Sequence, residues 1–217
     1  MIKKPKFWDN SNFSFLSIVL FPFTIFFRIN NLFINYSSKI KKREIFSICV
    51  GNIYIGGTGK TPSTIKLFKI LKKINKSTAT AKKFYKTHND EQKLLSQKTN
   101  FISGVNRWEI INKAIKKKLK IIIFDDGLQD RKIDYNLKFV CFDTANWIGN
   151  GNLIPSGPLR ENLNSLKKFD AVFLKSIKNT NGKILSTIKK INPKIKVFNS
   201  RYKINNLKSF NLSKKYL

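Results

Sequence analysis

The sequence predicts an α/β fold, a parallel β-sheet covered by helices on both faces, and three observations carry that prediction. Short apolar runs rich in Ile, Val and Phe alternate with stretches of helical periodicity. One run, "KIIIF" at residues 120–124, is apolar almost throughout, as a strand buried on both faces requires. The first run of the main body also passes through a glycine-rich stretch, "GNIYIGGTGKTP", straight into an amphipathic segment, a strand-turn-helix order that such sheets repeat.

The chain opens with Lys3, Lys4 and Lys6 and turns almost wholly apolar from Phe13 to Phe27, "FSFLSIVLFPFTIFF". Ser14, Ser17, Thr24, Arg28 and Asn31 recur at helical spacing and form a narrow polar strip. The apolar face is too wide for an ordinary surface helix. The run is nevertheless short of the ~20 residues that a spanning helix needs, and Pro22 interrupts it. No small-residue cleavage site follows the basic start, so a secretory signal does not fit. The pattern predicts a membrane-interface helix with basic flanks, lying in an anionic leaflet; a helix buried against the domain is the competing reading. With the connector "YSSKIKKRE", residues 1–44 form this N-terminal element, and residues 45–217 form the main domain.

Within the main domain, "IFSICV" (45–50) reads as a buried strand and "PSTIKLFKILKKI" (62–74) as a helix with Pro62 in its first turn, where a missing N–H costs nothing. A short strand near 77–81 and a helix near 107–118 follow. Strands are expected at 120–124, 138–142, 171–174 and 196–199, with a helix near 183–191 before the last. Cys49 and Cys141 each sit in an apolar run and read as buried free thiols, which fits a reducing compartment. His88 lies in a polar loop and reads as solvated. There is no internal repeat.

This order places the glycine-rich stretch at the carboxyl end of the first strand, where ligands bind in parallel sheets. It approximates the phosphate-loop pattern G-x-x-x-x-G-K-[ST], with Gly59, Lys60 and Thr61 in register and Tyr54 at the position of the first glycine. Gly56, Gly57 and Gly59 supply backbone freedom, Thr58 lies among them, Lys60 reaches the terminal phosphates and the Thr61 hydroxyl is placed for Mg²⁺. Tyr54→Gly is expected to be tolerated. A second feature agrees: "IIIFDDGLQD" ends an apolar strand with Asp125 and Asp126, where a P-loop NTPase-like sheet holds the carboxylate for Mg²⁺. An [NT]-K-x-D base-reading motif is missing, because "NKST" at 75–78 lacks the Asp, so guanine specificity is unsupported.

The formal charge of +31 invites an anionic partner. Yet only six of the 43 basic residues are Arg, and the wealth of Lys, Asn, Ile and Phe is what an AT-biased genome produces. The lysines are spread over most segments, and no aromatic-basic motif supports nucleic-acid binding.

"VGNIYIGGTGKTP", "DDGLQD" and "GNGNLIPSGPLRE" (149–161), in this order behind an apolar N-terminal helix, resemble the tetraacyldisaccharide 4'-kinase family of lipid A biosynthesis, over nearly the whole chain. The resemblance implies transfer of the ATP γ-phosphate to the 4'-hydroxyl of a lipid A disaccharide 1-phosphate at the cytoplasmic face of the inner membrane, with ATP and Mg²⁺ as cofactors. It also implies that "NDE" (89–91) matches the family's Gly-Asp-Glu segment. Asp90 is then the catalytic base and Glu91 an acid at the metal site beside Thr61, Asp125 and Asp126. Gln129 and Arg160 match positions near the phosphates. From the residues alone, "HNDEQKLL" is only a polar loop entering a helix and Asp90 reads first as a helix N-cap, while Arg160 reads as either a charge-stabilising arginine or a structural ion pair.

Three departures from the family stand out. Asn89 replaces the glycine before Asp90, Asp130 stands where the family usually has histidine, and the Arg-Gly-Tyr segment after the second strand is degraded to "KKFYK" (82–86). The family continues into a smaller second domain that carries a histidine supporting the catalytic aspartate, and this chain ends at "NLSKKYL", about where that domain is expected to begin. Two readings follow, a lipid kinase that works without that lobe and a fragment that binds nucleotide and membrane but turns over poorly. Nothing in the chain specifies an oligomeric state.

Overall fold

A computed structural model of the protein describes residues 4–9, 14–36, 45–74, 77–84, 89–130, 132–176 and 182–201. His88, most of the basic connector and the terminal "NLSKKYL" lie outside them, as do the side chains of Arg28 and Asn31.

An N-terminal helix, α1 (Phe15–Tyr36), precedes β1 (Phe46–Gly51), α2 (Lys60–Ile74), β2 (Thr78–Lys83), α3 (Asn89–Lys98), β3 (Phe101–Gly104) and α4 (Arg107–Lys116). Then come β4 (Ile121–Asp125), β5 (Leu137–Asp143), a 3₁₀ turn at Leu163–Lys168, β6 (Ala171–Lys175), α5 (Gly182–Ile191) and β7 (Lys196–Ser200). The seven strands form one sheet in the order β3-β2-β4-β1-β5-β6-β7, and every pairing is parallel. The expected strands are all present. The four-residue β3 escaped prediction because "FISG" is too short to show a period.

Side-chain alternation along the strands divides the core between two faces. Cys49, Ile122 and Phe124 point to the face covered by α4, and Val140, Phe142 and Val172 continue it under α5. Ile48, Val50, Ile123 and Cys141 point to the other face, where Phe68 of α2 covers them. Burial pushes the Cys141 thiol up to about 12 and the Cys49 thiol well above its usual range, so both are inert, free and buried. Asn106 caps α4 by accepting from the Glu109 N–H at 2.9 Å, while Glu109 Oε2 reaches back past the cap to accept from the Val105 N–H at 2.8 Å.

The N-terminal helix departs from expectation in two ways. It runs through Pro22 and extends to Tyr36, beyond the apolar run. It also faces the domain with its polar strip. Ser17 and Thr24 are buried, whereas Phe15, Ile18, Phe21 and Phe26 are exposed. Ser17 Oγ lies 2.9 Å from both the carbonyl and the hydroxyl of Ser156, and it accepts from Asn152 Nδ2 at 3.1 Å. Small polar groups on both sides let the helix approach the 150–156 loop, and its apolar side is left facing outward. Among the described residues, no helix is long and apolar enough to cross a membrane.

Candidate active site

The strand order brings the carboxyl ends of β2, β4 and β1 side by side, and the predicted site residues gather there. After β1, the Asn52 side chain donates to the carbonyls of Tyr54 and Gly56 and pins the turn from inside. Gly56 and Gly59, with φ of 138° and 85°, occupy backbone regions that a side chain strains to adopt. A Cβ at Gly57 would meet nothing within 4 Å, so the loop leaves an open cradle there. Thr58 Oγ1 is buried and has no hydrogen-bond partner among the described residues. An open cradle, an unpaired hydroxyl and the start of α2 at Lys60 together suit a phosphate group.

Tyr54 has no positive φ, so the missing glycine is not needed for backbone reasons. Its side chain is nevertheless structural. It is buried, and its hydroxyl bonds both Lys4 and Asp9. The expected tolerance of Tyr54→Gly is therefore corrected: the residue joins the loop to the N-terminal segment.

Asp125 ends β4 fully buried, with three donors around it. Thr61 Oγ1 donates to Oδ2 at 2.9 Å, Thr64 Oγ1 to Oδ1 at 3.3 Å and the Lys82 ammonium to Oδ2 at 2.8 Å. The register places Val50 opposite Asp125 and Ala81 opposite Phe124, which brings Lys82 alongside Asp125. Burial pushes the Asp125 carboxyl up. Burial also works against the Lys82 charge, yet Asp125 and Glu91 hold Lys82 above its ordinary value.

Asp126 follows with a φ of 64°, a left-handed conformation that Asp tolerates better than most residues. Its N–H donates to the Val50 carbonyl and its carbonyl accepts from Arg107 Nη2 at 2.7 Å. The side chain meets Lys60 Nζ at 3.9 Å and Arg160 Nη1 at 3.7 Å. Arg160 Nη1 also donates to Gln129 Oε1 at 3.4 Å, and Gln129 Nε2 to the Asn52 carbonyl at 2.8 Å. Lys60, Asp126, Gln129 and Arg160 thus converge beside the phosphate loop.

Glu91, expected as an acid at the metal site, accepts from the Lys82 ammonium; burial would raise its carboxyl, but Lys82, aided by Lys60, holds it below the usual carboxylate range. Among the described residues, no three acidic, His or Cys side chains form a metal cage. The oxygens of Thr61, Asp125 and Asp126 still fit Mg²⁺, which takes one or two carboxylates and completes its shell with phosphate and water. Asp90 lies inside the first turn of α3, exposed, and not at the N-cap position, because the helix already begins at Asn89.

Sequence reasoning missed Lys82, Arg107 and Asn52. Arg107 pairs with Asp130 at 2.5 Å, so the Asp at the position where the family usually has histidine anchors the arginine that holds Asp126. The available signal for Lys82 was a lysine directly after the small-residue run "TATA" of the strand "TATAKK", where Thr and Ala leave room for a buried cation.

The tetraacyldisaccharide-1-P 4'-kinase family model (LpxK) matches residues 14–215. The tetraacyldisaccharide 4'-kinase of Pelagibacter ubique (strain HTCC1062) is 46% identical over 216 residues, covering 100% of this chain and 68% of its own length. That of Rickettsia akari (strain Hartford) is 32% identical over 201 residues, covering 83% and 59%. The crystal structure of LpxK from Aquifex aeolicus in complex with ATP superposes with a TM-score of 0.65 at 22% identity, over 85% of this chain and 64% of that one, a likeness of fold. The chain therefore spans roughly three fifths to two thirds of the length of these relatives.

Proposed function

The chain belongs to the tetraacyldisaccharide 4'-kinase family, and from that premise we propose that it transfers the γ-phosphate of ATP to the 4'-hydroxyl of a lipid A disaccharide 1-phosphate precursor. One observation carries this reading: Lys60 and Arg160 converge on Asp126 while Thr61 lies 2.9 Å from Asp125, all at the mouth of the glycine-rich loop. In P-loop phosphotransferases that arrangement surrounds the terminal phosphates.

The loop N–H groups and the start of α2 bind the phosphate chain. Lys60, held only loosely by Asp126 at 3.9 Å, is free to turn to the phosphates. Mg²⁺, when bound, neutralises phosphate charge, and Thr61, Asp125 and Asp126 are the residues to hold it. Asp90 takes the proton of the 4'-hydroxyl as its oxygen attacks the γ-phosphorus, and the bond to the bridging oxygen breaks to release ADP. Arg160, steadied by Gln129, faces the charge that spreads over the transferring group.

Residues 1–44 serve in this reading as the membrane-directed element and residues 45–217 as the kinase domain. The outward apolar face of α1 supports it, because each large side chain moved from water into an apolar phase gains about 1.5–3 kcal/mol. The lysine-rich surface then favours the anionic cytoplasmic leaflet, where the disaccharide precursor resides.

The test is phosphoryl transfer from γ-labelled ATP to a lipid A disaccharide 1-phosphate in detergent micelles by the 217-residue chain, beside Asp90→Asn and Asp125→Asn. Label on the lipid, reduced about 10²–10⁴-fold by Asp90→Asn at unchanged ATP affinity, is the expected result. Asp125→Asn is expected to weaken Mg²⁺-dependent ATP binding as well. ATP and vesicle binding without any transfer would instead favour a protein that binds nucleotide and membrane but does not turn over.

A further inference from the structure

We propose that Lys82 is a positioning residue that ties the first turn of α3, and with it Asp90, to the buried Asp125 at the end of β4. The inference rests on the kinase reading only in the role it gives Asp90; the tie itself stands on geometry.

Lysine is among the residues least often buried, and an ammonium out of water needs carboxylate partners. The Lys82 side chain is 4% exposed and its Nζ has two such partners on different elements, Asp125 Oδ2 on β4 at 2.8 Å and Glu91 Oε2 on α3 at 2.5 Å. Asp125 also accepts from Thr61 and Thr64, so one ammonium adjoins both the phosphate-loop helix α2, through Asp125, and the helix that bears Asp90. Charge-assisted hydrogen bonds of this kind are short and directional. Asp90 is exposed and next to Glu91, so the Glu91 carboxylate is the handle by which the first turn of α3 is set against the sheet. A general base has to lie within hydrogen-bond reach of its proton, and a misplacement of about 1 Å costs about 10²-fold in rate. Lys82 thus fixes the separation between the carboxylate on the metal side and the carboxylate on the acceptor side, without touching either substrate.

The experiment compares Glu91→Gln, Lys82→Gln, Lys82→Arg and the Glu91→Gln/Lys82→Gln double variant in the full chain, by hydrogen exchange and by turnover. Glu91→Gln leaves the Lys82–Asp125 pair intact and cuts only the arm to α3. Exchange of the amides at residues 91–95 is expected to rise about tenfold in Glu91→Gln and Lys82→Gln while that of α5 stays unchanged. The double variant should exceed neither single one, as coupled neighbours do, and Lys82→Arg should return exchange to within about twofold of the parent. In turnover, Glu91→Gln should lower kcat about tenfold or more with KM for ATP within about twofold.

Parental exchange in Glu91→Gln overturns the proposal, and so do additive effects in the double variant or an ATP affinity that falls in step with kcat. If Lys82→Gln fails to fold, because it strands a buried carboxylate, Glu91→Gln and Lys82→Arg decide the matter. Should the parent chain transfer no phosphate, the kinase reading falls, and the exchange pattern alone still accepts or rejects the tie.

Discussion

The Tyr54 hydroxyl, at the position where phosphate loops ordinarily carry glycine, donates to Asp9 Oδ1 at 2.9 Å. Lys4 completes the group, 2.7 Å from the same hydroxyl and ion-paired to Asp9. One residue before Asp9, the Trp8 carbonyl accepts from the Asn150 N–H, and the Trp8 indole donates to the Pro155 carbonyl at 3.0 Å. The segment ahead of α1 is thus held at once by the phosphate loop and by the 149–161 motif.

Tyr54→Gly is accordingly expected to destabilise the protein by about 3–5 kcal/mol, the usual cost of removing a buried aromatic ring. Tyr54→Phe, which loses only the hydroxyl, is expected to cost about 1 kcal/mol. Urea denaturation measures both. A Tyr54→Gly protein as stable as its parent would mean that the ring anchors nothing.

Lys60→Ala should separate binding from folding. The side chain meets Asp126 only at 3.9 Å, so stability is expected to stay within about 0.5 kcal/mol of the parent. ATP affinity should fall and transfer should vanish. Unchanged ATP affinity in a titration would displace the phosphate site from this loop.

Asp130→Asn keeps shape and removes the charge that Arg107 pairs with. Hydrogen bonds to charged groups contribute about 1.5–3 kcal/mol, and a loss of that order is expected in denaturation. ATP affinity should weaken too, because Arg107 holds the carbonyl of Asp126 in its left-handed conformation. A variant destabilised but normal in ATP binding would confine Arg107 and Asp130 to a structural role.

On α1, Ile18→Asp with Phe21→Asp places charge on the exposed apolar face without touching Ser17. Sedimentation with anionic vesicles is expected to show binding lost while the thermal transition is kept. Ser17→Leu should do the reverse, disturbing the contact with Ser156 and lowering stability. Undiminished vesicle binding by the double Asp variant would send the membrane contact elsewhere on the chain.

Sheet order aside, most of the fold was legible from residue pattern alone, because its signals are local. A continuous apolar run such as residues 120–124 can be buried on both faces only in a covered sheet, and Gly59, Lys60 and Thr61 between strand and helix need no distant partner to be read. The pairing of Thr61 with Asp125 follows from the same logic, since both close adjacent parallel strands or their turns. What only the tertiary structure decided are contacts between residues far apart in sequence: Tyr54 on Asp9, Arg107 on Asp130, and Lys82 between Glu91 and Asp125. A charged side chain carries no sign in the sequence of whether it will meet water or a carboxylate; that depends on which strand becomes its neighbour. The orientation of α1 was decided in the same way. Its polar strip is visible in the sequence, but whether Ser17 faces solvent or protein depended on Ser156, Asn150 and Asn152 standing where small polar groups could meet it.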